Sequence, residues 1–257
     1  MDIVIVSIVA LLASALTFFS GFGLGTLLTP VFLLFFPVEI AIALTGVVHL
    51  LNNVFKLGLI GSNISWPAFI RFGLPAIIGA FFGAKALFLL SDYNYQIGYE
   101  LMGWELETNA VKLVIAIVLL FFALAELLPF LIRFNLGKSM MAVGGLLSGF
   151  FGGLSGNQGA LRSVFLIRMG LNKKAFIATG VIIACVVDIT RIPVYVSNIS
   201  AEVIDTSMGV MTGAVLSAFV GALVGKRLLK KVTLESVQLL VGFMIMGVAV
   251  GLGLGII

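Results

Sequence analysis

Gly152-Gly153-Leu154-Ser155-Gly156-Asn157-Gln158-Gly159 interrupts an apolar stretch running from residue 139 to 170. Ser20-Gly21-Phe22-Gly23-Leu24-Gly25 interrupts another from residue 3 to 36. As an unbroken helix either stretch would extend roughly 50 Å, well past a ~30 Å hydrocarbon core. The glycines supply the break. In the second stretch the two arms, about 13 and 11 residues, would each reach only roughly 17 to 20 Å, which suits a re-entrant hairpin meeting near mid-membrane. In the first the leading arm is longer, so a nearly complete span is the other option.

Working outward, apolar runs of spanning length cover residues 38–60, 68–90, 110–132, 174–196, 206–229 and 234–257, each near the ~20 residues a bilayer-crossing helix needs. Each broken segment is therefore followed by three such runs. The expected fold is an all-α polytopic membrane protein of two repeats, residues 1–133 and 134–257. Composition agrees: 61% of residues are hydrophobic and 10% charged, and the mean hydropathy is +1.25. The longest polar stretch, residues 91–109, is too short to build a soluble catalytic core.

The net charge is +4. It reads as a topology signal and not as nucleic-acid affinity, because the basic residues gather at span ends. Lys56 with Arg71, Arg133 with Lys138, Arg168 with Lys173 and Lys174, and Lys226 with Arg227, Lys230 and Lys231 mark four cytoplasmic ends. Asp2, Glu39, the Asp92–Glu107 stretch, and Glu202 with Asp205 mark the outside. The alternation closes only if each broken region enters and leaves on one side. The halves are then inverted and both termini lie outside, in a multi-pass protein of the cell membrane. Asp2 is followed directly by apolar residues without a cationic leader, so a cleaved signal peptide is not expected.

The repeat is also visible in the letters. A shift of 134 carries Gly25 onto Gly159 and Thr45-Gly46 onto Thr179-Gly180. A shift of 135 carries Ser62-Asn63-Ile64-Ser65 onto Ser197-Asn198-Ile199-Ser200, and 142 carries Gly79, Gly83 and Lys85 onto Gly221, Gly225 and Arg227. An ordered series with small insertions is the signature of an internal repeat.

Interrupted helices at matching positions of inverted halves are where secondary transporters hold substrate. Ending a helix inside the membrane frees N–H groups at the start of the next half-helix, and these with the helix dipole attract an anion. Glycine lets the ligand approach the backbone. The candidate binding residues are Gly23, Gly25 and Thr26 at the first break. At the second they are Ser155, Gly156, Asn157, Gln158, Gly159 and Arg162, the last bringing a planar fork suited to oxyanions. Many other glycines, including Gly79/Gly83, Gly221/Gly225 and Gly247/Gly251/Gly255, read as small-residue helix packing.

A second constellation lies on the following helices. His49, Asn52, Asn53 and Lys56 fall at i, i+3, i+4 and i+7 on one face, while Asp188 and Arg191 share a face of the related helix. His49, Asn52, Asn53, Asp188 and Arg191 are candidate pathway or coupling residues, since an unperturbed imidazole titrates near ~6.5. Asp188–Arg191 also reads as a structural ion pair, and Lys56 and Arg191 as snorkelling end residues. The lone Cys185 excludes a disulfide and reads as an apolar core residue. No residue set has metal-ligand or nucleophile-base spacing, so no metal, cofactor or enzymatic activity is expected.

The chain resembles the TauE/SafE (sulfite exporter) family of membrane permeases. The resemblance runs through the glycine-rich break, the helix entering at Val38-Glu-Ile-Ala-Ile-Ala-Leu-Thr-Gly46, its partner Lys174-Ala-Phe-Ile-Ala-Thr-Gly180, and the Gly-x-x-x-Gly third helix of each half. It departs where a glycine triplet and proline are expected: Gly23-Leu24-Gly25 with Pro30 stands in the first half, and Val164 replaces the proline in the second. The resemblance implies outward movement of a small sulfur-containing or carboxylate anion by alternating access, with H+ or Na+ as the candidate coupling ion. A passive anion channel and a non-transporting membrane sensor are the alternatives. The expected partners are that anion and the lipid bilayer.

Overall fold

In the computed structural model the described residues are 2–17, 23–93, 95–101, 103–128, 140–228 and 234–257. Pro37 caps α3 (Val38–Ile60), cutting it from α2 (Leu24–Phe32), which itself follows α1 (Asp2–Thr17) across the first break. Next comes α4 (Trp66–Asp92), whose first turns loosen into a π-helical stretch at Phe69–Gly73. Asn109 then opens α5 (Ala110–Leu127) by accepting the Lys112 N–H at 2.9 Å.

The second half repeats this order. Gly156, at φ +79°, ends α6 (Met141–Ser155), and α7 (Gly159–Ile167) starts three residues on. Only a residue free to adopt that left-handed backbone closes the helix so abruptly. Asn172 caps α8 (Lys173–Val196) through the Ala175 N–H at 2.9 Å, followed by α9 (Ala201–Leu228) and α10 (Leu234–Gly253). Five helices are long and apolar enough to cross a membrane among the described residues. The chain is therefore an all-α polytopic membrane protein. Large apolar side chains such as Ile78, Phe82, Ile117, Leu216 and Phe243 cover its outside, as a lipid-facing surface requires.

The arms of the broken helices are nearly matched. α1 and α6 have 16 and 15 residues, about 24 and 22 Å, while α2 and α7 have 9 each, about 14 Å. Helix packing follows the repeat order: α4 lies on α6 and α1 on α9, while α3 pairs with α8 and α5 with α10. Two of these contacts are backbone-close. A Cβ on Gly83 would overlap the Phe150 carbonyl, one on Gly149 that of Ala76, and one on Gly221 that of Leu11. Glycine is what permits these approaches. Gly247, by contrast, faces open space, and Gly251 meets only the Ile257 side chain in ordinary contact, so these two do not close a helix interface. The repeated tetrapeptide also reaches across: the Ser65 N–H donates to Thr179 Oγ1 at 2.8 Å.

The polar stretch between α4 and α5 is not a plain loop. It forms an antiparallel hairpin of β1 (Gln96–Leu101) and β2 (Trp104–Asn109), with Leu101 opposite Trp104 and Gly103 at φ +82° in the turn. Ile97, Tyr99, Trp104 and Thr108 are good strand formers. The Tyr99 hydroxyl docks the hairpin on the Leu254 carbonyl at 2.9 Å. Cys185 is buried with Ile177 and Val181 in an apolar cluster. Arg133, Lys138, Lys230 and Lys231 lie outside the described residues.

Candidate functional site

The face of α3 predicted from spacing is buried in the bundle: His49, Asn52, Asn53 and Lys56 are each at most 4% exposed. Lys56 therefore does not snorkel, and it marks no membrane surface. Asn52 ties α3 to α1 and α9. Its amide nitrogen reaches Ser14 Oγ (3.0 Å) and the Ala218 carbonyl (3.3 Å), and its Oδ1 accepts from Lys56 Nζ at 3.2 Å.

Across from this face, α8 presents Asp188 and Arg191, both fully buried. His49 Nδ1 donates to Asp188 Oδ2 at 2.6 Å. Arg191 donates to Asp188 Oδ1 from Nε at 2.9 Å, and its Nη2 stands 2.8 Å from the same oxygen as an ion pair. Its Nη1 donates to the Gly152 carbonyl at 2.7 Å, and the Tyr195 hydroxyl donates to that of Gly153. These two side chains thus bind α8 to the end of α6, satisfying carbonyls in the last turn before the break. Arg191 is a network member and not a snorkelling end residue. Gly46 makes room for it, since a Cβ there would sit 3.3 Å from Nη2.

The two breaks meet. A Cβ on Gly25 would lie 3.4 Å from the Gly156 carbonyl oxygen, and one on Gly23 only 2.8 Å from His49 Nε2. Thr26 is engaged within its own turn, its hydroxyl donating to the Gly23 carbonyl at 2.6 Å. At the second break Ser155 Oγ donates to the Phe151 carbonyl at 2.9 Å, and Asn157 Nδ2 to the Ser155 carbonyl at 3.3 Å. Ser148 Oγ fixes the turn through the Gln158 carbonyl at 3.1 Å. Both amide atoms of Gln158, Asn157 Oδ1, Thr29 Oγ1 and Thr45 Oγ1 are buried without a hydrogen-bond partner among the described residues. Buried polar atoms are rarely left so, and a cluster of them at a helix break is a place for a ligand.

Arg162, buried on the first turns of α7, lies against Gly180, where a Cβ would be 3.4 Å from Nε. Its guanidinium and Lys56 share one internal cavity with His49, Asn53, Gly23 and Thr17, closed by Leu166, Phe176, Ile177 and Val181. Among the described residues no carboxylate lines it. The described structure brings Arg162 and Gly23 together with His49 and Asn53 in one space. Asn157, Gln158, Asp188 and Arg191 do not line that space. Sequence reasoning had passed over Lys56 and Tyr195 as site residues. Both were signalled, Lys56 by sharing the His49 face and Tyr195 by falling at i+4 from Arg191.

Fold and site define a multi-pass α-helical membrane protein built around two discontinuous helices. The chain belongs to the sulfite exporter TauE/SafE family, which it matches over residues 6–252. It is thus a membrane transporter of the anion-exporter type. No match is found among curated proteins.

Proposed function

We propose that this chain is a secondary transporter that moves a small sulfur oxyanion, of the sulfite or organosulfonate kind, outward by alternating access. The observation that carries the reading is the cavity lined by Lys56 and Arg162 and, among the described residues, by no carboxylate. A charged Arg in a membrane span costs on the order of 3 kcal/mol on insertion scales, so it is kept where it serves a pathway or a ligand. Asp188 is shared between His49 and Arg191, and an anion in the cavity would meet the basic side chains of Arg162 and Lys56 that line it.

In this reading residues 1–133 and 134–257 are inverted halves, supported by the interchange of packing partners between them. The substrate sits in this cavity against Gly23 of the first break, where Asn53 adds a donor to the two basic side chains. Rocking of the halves about this point would expose it to each side in turn. The test is to melt detergent-purified protein against sulfite, thiosulfate, sulfate, methanesulfonate and acetate at constant ionic strength. A native-state ligand must raise the melting temperature in a saturable way. Counterflow of the stabilising anion in proteoliposomes should then follow, and absence of both effects would refute the proposal.

A further inference from the structure

The geometry points to His49 Nε2 as the site of a coupled proton, taken up with the anion and carried in the same direction. The inference rests on the anion reading above and names its coupling ion. Asp188 Oδ2 can only accept, so the 2.6 Å bond fixes the hydrogen on His49 Nδ1. At the other ring nitrogen Asn53 Nδ2 approaches to 3.1 Å. Asn53 Nδ2 only donates, so Nε2 accepts through its lone pair, carries no hydrogen, and the ring is neutral. That lone pair lies beside Gly23 and lines the cavity with Lys56 and Arg162.

The charges facing the ring set the coupling. From α8 come Asp188 and Arg191 and from α7 Arg162, two guanidiniums against one carboxylate, while Lys56 of α3 lines the same cavity. A proton on Nε2 would add to that surplus while the cavity is empty. With an anion in the cavity the balance reverses, so proton and anion each favour the other's binding, as linkage requires. Taking up the proton also needs a local change. Asn53 must turn its amide so that Oδ1 replaces Nδ2 at the new N–H, which frees two donor hydrogens beside the anion. Asp188 meanwhile keeps the ring in place and faces the imidazolium.

The test uses the full-length protein in detergent, with sulfate and methanesulfonate as probes because both stay ionised across the range. Isothermal calorimetry between pH 6 and 8 in two buffers of different ionisation heat gives affinity and proton uptake together. Wild type should bind more tightly as pH falls, by up to about tenfold per pH unit, while taking up close to one proton. Against Lys56→Arg, which fixes the other cavity amine as a cation, the added His49→Gln keeps a donor for Asp188 and its affinity should be independent of pH. Asn53→Leu removes the donor that holds Nε2 as an acceptor, so its pH dependence should persist but move to higher pH, a shift that loss of packing would not produce. pH-independent binding by wild type, or a slope in Lys56→Arg that the added His49→Gln leaves unchanged, overturns the proton site while leaving the anion site standing. Failure of wild type to bind either probe overturns both.

Discussion

Gly25 and Gly156, one from each broken segment, face each other so closely that a Cβ on the first would lie 3.4 Å from the carbonyl oxygen of the second. This contact joins the two halves at the point where both have given up helical hydrogen bonds. A side chain larger than methyl at Gly25 would push the breaks apart. Gly25→Val should therefore abolish anion-dependent stabilisation even in protein that elutes as a folded species on size exclusion, whereas retained stabilisation would show that the junction is not part of the site.

The glycine contacts between helices have a graded expectation. Gly83→Ala drives a methyl into the Phe150 carbonyl, and Gly221→Ala into that of Leu11. Backbone atoms cannot rotate away, so each should cost at least the ~1–3 kcal/mol typical of overpacking. Gly247→Ala meets nothing and should be neutral or stabilising, by up to about 1 kcal/mol from helix propensity. Thermal melts of the three variants in one detergent check the order.

Removing Arg191 should be a folding defect. It leaves Asp188 buried without its cation, a change that costs about 3–5 kcal/mol where it has been measured. Arg191→Ala should melt well below wild type, and adding Asp188→Ala should recover part of the loss. No recovery would mean that the Arg191 bond to the Gly152 carbonyl dominates over the ion pair.

The proposed inverted arrangement would place equivalent residues on opposite sides of the membrane. Ser62 and Ser197 occupy the same position of the repeated tetrapeptide, and both are exposed. On a Cys185→Ala background, Ser62→Cys should react with an impermeant maleimide only from the cytoplasmic side and Ser197→Cys only from outside. Labelling from one common side would exclude inversion.

Helix extents were legible in one dimension because a bilayer demands long apolar runs, so α3 begins and ends where hydropathy and Pro37 place it. The breaks were legible because only glycine-rich polar stretches interrupt such runs. The hairpin at Gln96–Asn109 was not, since it is a short two-stranded unit whose stability comes partly from the Tyr99 contact with Leu254 in another part of the chain. Lys56 shows the same limit at the site. Its spacing put it on the His49 face, but how deep that face lies depends on α1, α8 and α9 packing round it. Likewise the spacing offered Asp188 only the local pairing with Arg191. Helix rotation in the bundle gives it to His49 and Arg191.

The central claim is that Arg162 and Lys56 hold a substrate anion in the cavity they line, and direct titration of Arg162 variants tests it most simply. Arg162→Ala should stay folded and lose all stabilisation by the anion that protects wild type. Arg162→Lys, which keeps the charge but not the bidentate fork, should bind at least about tenfold more weakly, the loss of roughly one charged hydrogen bond. Wild-type affinity in Arg162→Ala would contradict the account.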